Sequence, residues 1–111
     1  MIMDDTATGE LKAQTLYYKA FFLHEYEAYE DSNKEVQNLI ANYSNYKYWG
    51  VKSYIVMAKN YHQLKDEYQA TYILENVIDN FTQYRDLIEE ANNELNKIKN
   101  NIAKTNESVN R

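Results

Sequence analysis

Apolar residues recur along this chain at steps of three and four, the spacing that places neighbours on one face of a helix. Between residues 9 and 26 the stripe is Leu16, Ala20 and Leu23, widened by Tyr17, Phe21 and Phe22. Tyr29, Ser32, Val36, Leu39 and Ile40 carry a second helix over 28–43. A third, over 46–64, puts Tyr54, Met57, Ala58 and Tyr61 on one face, and a fourth, over 66–81, does the same with Ala70 and Leu74. The fifth, over 84–104, has a narrow stripe of Leu87, Ile88, Ala91, Leu95, Ile98 and Ile102 on an otherwise polar surface. Asp66 and Glu67 suit the positive end of the fourth helix. Thr82 or Asp86 would cap the fifth. The polar ends, 1–8 and 105–111, are expected to be disordered.

The chain repeats itself. A shift of 38 residues takes Leu16 to Tyr54, Ala20 to Ala58, Ser32 to Ala70, Val36 to Leu74 and Leu39 to Val77. The organisation is therefore a hairpin over 9–45, a second over 46–82 and a terminal helix over 83–104. Ser32-x-x-Glu35 also fits a capping box, which would start the second helix at Ser32. The repeat register starts it near Ala28 and is preferred, because a capping box is a short and common pattern.

Composition narrows the fold class to all-α. There is no proline, and Gly9 and Gly50 are the two glycines, whereas sheet-rich folds mark their many tight turns with these residues.

The order Tyr54-x₂-Met57-Ala58-x₂-Tyr61, then Ala70-x₃-Leu74, resembles the tetratricopeptide repeat (TPR): an aromatic, Leu-Gly, Tyr, Ala, then a large apolar residue. The resemblance implies antiparallel helical hairpins stacked as an α-solenoid, with Ala58 and Ala70 letting the two helices approach. Ala58 stands where the pattern has glycine, Thr82 near its proline, Lys19 at the first repeat's leucine and Ser32 at its alanine. The usual period is about 34 residues, and the extra residues are expected in the connection Asn42–Lys47, with Trp49 anchoring it to the third helix. The one-sided fifth helix resembles the polar cap that closes such arrays. The segments around Asn42–Trp49 and Gln69-Ala70-Thr71 are similar to the C-terminal part of long TPR arrays of Gram-negative cell envelopes. That similarity implies a bacterial, periplasmic setting, with the cytoplasm as the alternative.

What the family does implies what this chain does: a protein-binding scaffold that holds a peptide or partner helix on its concave face. Transferred position by position, the groove would be Gln14, Tyr17, Phe21 and His24 in the first hairpin and Lys52, Ile55, Lys59 and His62 in the second. The lysines would attract an acidic peptide, and Tyr17 and Phe21 would serve as aromatic anchors. The alternative is a structural helical module that homo-oligomerises and binds no separate ligand. Two hairpins and a cap are close to the smallest stable array. Either further repeats of a longer chain or self-association is thus expected, with apolar surface at the N-terminal end.

Candidate chemistry is sparse. The chain has no cysteine, which removes thiol catalysis and disulfides. His24-Glu25 begins like a zinc-protease motif, but Ala28 stands at the second histidine position. No Gly-rich phosphate loop is present. No enzymatic activity, cofactor or metal is expected. The net charge of −5 argues against nucleic acid, which calls for a basic face. Charge alternates in bands, with net −5 over 1–31, +4 over 32–65, −6 over 66–90 and +2 over 91–111. Neighbouring helices should therefore attract, each exposed pair adding about 0–1 kcal/mol. No apolar run approaches the roughly 20 residues of a membrane span, and Met1-Ile-Met-Asp-Asp does not read as a signal peptide.

Overall fold

The helical spacing of the apolar positions is realised as five α-helices: α1 (Asp5–Glu25), α2 (Tyr29–Asn42), α3 (Lys47–Gln63), α4 (Glu67–Asn80) and α5 (Arg85–Val109). The structure, a computed structural model, describes the backbone of residues 5–109 and the side chains of residues 8–105. Within that span the fold is all-α, an array of antiparallel hairpins. α2, α3 and α4 begin and end within a residue of their expected bounds. α2 starts at Tyr29, with Ser32 inside the helix rather than capping it.

The outer helices reach further than expected. α1 begins at Asp5 rather than at residue 9, and α5 continues to Val109 rather than stopping near 104. Gly9 lies within α1, where its missing Cβ leaves room for the Tyr46 ring, whose Cζ would be 2.8 Å from a Cβ there. Beyond Lys104 neither glycine nor proline occurs to stop α5. The expectations for residues 1–4 and 110–111 lie outside the described residues.

The 38-residue repeat is a repeat of geometry. Glu27 and Lys65, one period apart, are the described non-glycine residues with positive φ, at 64° and 67°. Each ends an odd-numbered helix in a Schellman motif. Ala28 N–H bonds Leu23 C=O at 2.8 Å and Glu27 N–H bonds His24 C=O at 2.9 Å; Asp66 to Tyr61 and Lys65 to His62 repeat them at 2.8 and 3.1 Å. The Asn42 amide donates to Asn38 Oδ1 at 2.7 Å, and Asn80 to Asn76 at 2.9 Å. At the start of α4 a side chain caps the turn: Asp66 accepts from Gln69 N–H at 3.1 Å, where Ala28, at the start of α2, makes no such bond.

The extra residues of the period do not sit in the connection Asn42–Lys47. That connection is only the turn 43–46, matched in length by 81–84. The period is filled by long helices instead, 17 residues in α3 and 14 in α4. Trp49 likewise does more than anchor the turn: its ring reaches α1, 5.7 Å from Tyr17 and 6.3 Å from Tyr18.

α3 is the central helix. It turns Val51, Ile55 and Ala58 towards α4 and α5, and Val56 and Met57 towards α1 and α2. Leu39, Ile55, Leu74, Leu87 and Ile98 are essentially fully buried, and each burial of that size contributes about 1.5–3 kcal/mol. α1 packs on α3 and α3 on α5, whereas α2 and α4 do not meet. The array is thus tighter along its odd-helix side. At the C-terminal end α5 buries Leu87, Ala91, Leu95 and Ile98 and exposes Glu89, Asn93, Asn96 and Asn100.

Candidate interaction surface

The odd-numbered helices lie side by side, and their shared side carries most of the residues expected in a groove. Two of those are removed from it. Tyr17 is 6% exposed and Ile55 fully buried. The reason is the close approach of the odd helices: Tyr17 is sealed in the α1–α3 seam beneath Trp49 and Lys52, and Ile55 points into the α3–α4–α5 core. Neither is available to a partner. Gln14, Phe21, His24, Lys52, Lys59 and His62 are partly exposed.

Lys59 is committed to α5, with its ammonium 3.3 Å from Glu90 Oε1 and 3.9 Å from Glu94 Oε1. Lys59–Glu90 joins the positive band 32–65 to the negative band 66–90, whereas Lys19–Glu35, at 3.1 Å between α1 and α2, pairs the minority charge of each of its bands. His24 and His62, equivalent in the repeat, do not approach each other. His62 Nε2 lies 3.3 Å from the Asn101 amide of α5. His24 Nδ1 lies 2.8 Å from Asn60 Oδ1.

Asn60 is the centre of a buried polar network. Its amide nitrogen donates to Ser32 Oγ and Asn33 Oδ1, both at 2.8 Å, and Ser32 Oγ donates to the Ala20 carbonyl at 2.6 Å. The amide oxygen is then an acceptor, so His24 Nδ1 carries the proton in this bond. Among the described residues no buried side-chain nitrogen or oxygen lacks a partner.

What the shared side does assemble is an aromatic cluster around one cation. Tyr17 and Tyr18 are 5.1 Å apart, Tyr48 and Trp49 5.4 Å, and Tyr48 and Tyr84 5.6 Å, all edge to face. Lys52 Nζ sits 5.3 Å from the Tyr17 ring centre and 5.7 Å from that of Tyr48, a cation–π arrangement. No carboxylate among the described residues forms an ion pair with Lys52.

Tyr48 Oη donates to Asp86 Oδ2 at 2.6 Å. That bond is the main cause holding the Tyr48 hydroxyl protonated up to about 12 and lowering the Asp86 carboxyl below its ordinary value. Tyr17 is also raised to about 12, chiefly by burial and then by the charge of Glu90. Tyr18, Tyr48, Trp49 and Asp86 were not among the expected groove residues. The signal available for them was their position: Tyr48 and Asp86 are one period apart, at the starts of adjacent odd helices.

The outer side carries a shallow groove of about 350 Å³ lined by Tyr54, Tyr72, Ile73, Asn76, Val77, Asn80 and Phe81. Beside it the exposed rings of Tyr68 and Tyr72 stack at 6.4 Å. The equivalent positions of the first hairpin are Glu30 and Lys34. Among the described residues no helix is long and apolar enough to cross a membrane. Comparisons with family models, with curated proteins and with solved structures return no match to this chain.

Proposed function

We propose that this chain is a non-catalytic protein-binding scaffold of the tetratricopeptide type, holding an acidic peptide or partner helix against the side formed by α1, α3 and α5. The all-helical hairpin array with its 38-residue period supports the reading. The observation that carries it is Lys52: a partly exposed cation over the rings of Tyr17 and Tyr48, in no close ion pair, although its charge reaches the Asp86 carboxyl. Aromatic surface is what interface anchors are built from, and the lysine charge beside it favours an acidic partner. Lys59 is spoken for by Glu90 and Glu94, so the acidic partner is read by Lys52, with the Tyr17 and Tyr48 rings beneath it and Tyr18 beside Tyr17.

The test is fluorescence anisotropy with acidic peptides carrying one aromatic residue, titrated with wild-type chain and with Lys52→Glu. The expected result is saturable, salt-sensitive binding that Lys52→Glu reduces at least tenfold while Lys34→Glu, outside the cluster, leaves it unchanged. Equal binding by all three proteins, or none by any, sinks the reading.

A further inference from the structure

α1 is apolar on two opposite sides. Ala13, Tyr17 and Ala20 face the core, whereas Leu11, Tyr18 and Phe22 on the far side are 62%, 44% and 55% exposed and Tyr26, just past the helix, is 82% exposed. A second apolar stripe left exposed on a helix marks a surface for another contact. The repeat shows what such a face does elsewhere. One period on, Leu11, Tyr18 and Phe22 correspond to Trp49, Val56 and Asn60, the residues with which α3 packs on α1 and α2. α1 thus presents a largely open interface face, on which, among the described residues, Tyr18 lies at the edge beside the Trp49 ring of α3 at 6.3 Å.

We propose that this face is covered by α1 of a second copy, the two helices running antiparallel about a two-fold axis beside Tyr18 and Lys19. The spacing of the stripe reads the same from either end: Leu11, Thr15, Tyr18, Lys19, Phe22, Tyr26. Reversal about its midpoint sets Leu11 against Tyr26 of the second copy, the small Thr15 against the large Phe22, and Tyr18 beside its own counterpart. The same reversal sets Lys19 beside its own counterpart, and each copy's Glu35, 3.1 Å from its own Lys19, offsets that like-charge contact.

The opposite end of the array offers no alternative seat, because the outward positions of α5 are Glu89, Asn93, Asn96 and Asn100. Pairing is therefore like with like and closes at two copies rather than growing into a filament. Four side chains of this size and exposure remove roughly 500 Å² per copy, and roughly 1,000 Å² in all reaches the lower bound of specific interfaces. The inference does not use Lys52 but shares Tyr18 with the scaffold reading; Phe22→Glu leaves Lys52 and Tyr18 in place, so failure of one is distinguishable from failure of the other.

Sedimentation equilibrium of the full chain tests it. The expected mass is twice the 13.2 kDa of one chain. Phe22→Glu should give a monomer with an unchanged helical circular dichroism spectrum, whereas Tyr72→Glu, at an equally exposed site on α4, should remain dimeric. The chain has no cysteine, so Tyr18→Cys should form a covalent dimer on mild oxidation and Tyr72→Cys should not. The proposal is overturned by a wild-type chain that stays monomeric into the millimolar range. It is equally overturned by a dimer that survives Phe22→Glu, or by cross-linking of Tyr72→Cys as readily as Tyr18→Cys.

Discussion

Asn60 donates its amide to the Ser32 hydroxyl at 2.8 Å in the seam between α2 and α3, and one period later the same two positions are Ile98 and Ala70. All four residues are buried. The two junctions of the array therefore solve one packing problem in two ways. The first uses a closed polar network through His24, Asn33 and the Ala20 carbonyl; the second uses apolar contact. A buried network with every member satisfied fixes one arrangement, because any slip leaves polar groups unpaired in a low dielectric.

Replacing Asn60 by Ile should cost about 2–4 kcal/mol, since Ser32, Asn33 and His24 lose their partner at once. Adding Ser32→Ala, which copies the second junction, should recover about 1 kcal/mol of that loss. Urea denaturation of the two single variants and the double gives the coupling. Strictly additive costs would show that the network does not act as a unit.

Lys59 joins α3 to α5, and its side chain is only 25% exposed. Lys59→Glu places a third carboxylate beside Glu90 and Glu94 and should destabilise the chain by about 1–3 kcal/mol, with Lys59→Met costing less. Amide exchange should locate the loss in α5, raising rates there more than in α2. Uniform acceleration across all helices would argue against a local role.

Alkaline pH should weaken the fold. Tyr17 and Tyr48 keep their protons up to about 12 when folded, against an ordinary value of 10.0. Their contribution is then complete below pH 10 and is lost as pH rises towards 12. Asp86 acts in the opposite sense: its folded carboxyl is lowered from 3.8, so its contribution is present above that pH and is lost as pH falls below it. Unfolding free energies measured from pH 9 to 12 should fall less steeply in a Tyr17→Phe, Tyr48→Phe variant. In Tyr48→Phe alone, the Asp86 carboxyl followed by NMR should titrate nearer its ordinary value.

Backbone positions offer two stabilising changes. A Cβ on Gly50, inside α3, would meet nothing nearer than Leu39 Cδ2 at 4.0 Å, so Gly50→Ala should add about 0.5–1 kcal/mol. Lys65 sits at φ 67°, a conformation glycine adopts freely, and Lys65→Gly should add about 0.5–1 kcal/mol. Thermal unfolding midpoints read both. A lower midpoint for Gly50→Ala would mean that α3 cannot accept even a methyl group at its start.

How much of this was legible in the chain follows from range. Helix number and the ends of α2, α3 and α4 depend on spacing within one or two turns, and the apolar stripes, the acidic start of α4 and the absence of proline carry that information locally, whereas nothing local marked the outer ends of α1 and α5. The narrow stripe of α5, Leu87 to Ile98, already marked a helix with one neighbour side and one polar side. What each side chain meets is another matter, because it depends on distances between segments far apart in sequence. Tyr17 and Ile55 sit at helical positions that could face a groove, and only the closeness of α1, α3 and α5 decides that they are sealed. Lys52 and Lys59 are alike as letters, one turn-pair apart on α3. Tertiary packing gave Lys59 two carboxylates from α5 and left Lys52 between two rings. His24 and His62 occupy one repeat position, yet packing bonds them to different partners, Asn60 and Asn101. Local physics set the helices; the contacts between them set which of their charges and rings remain free to meet another molecule.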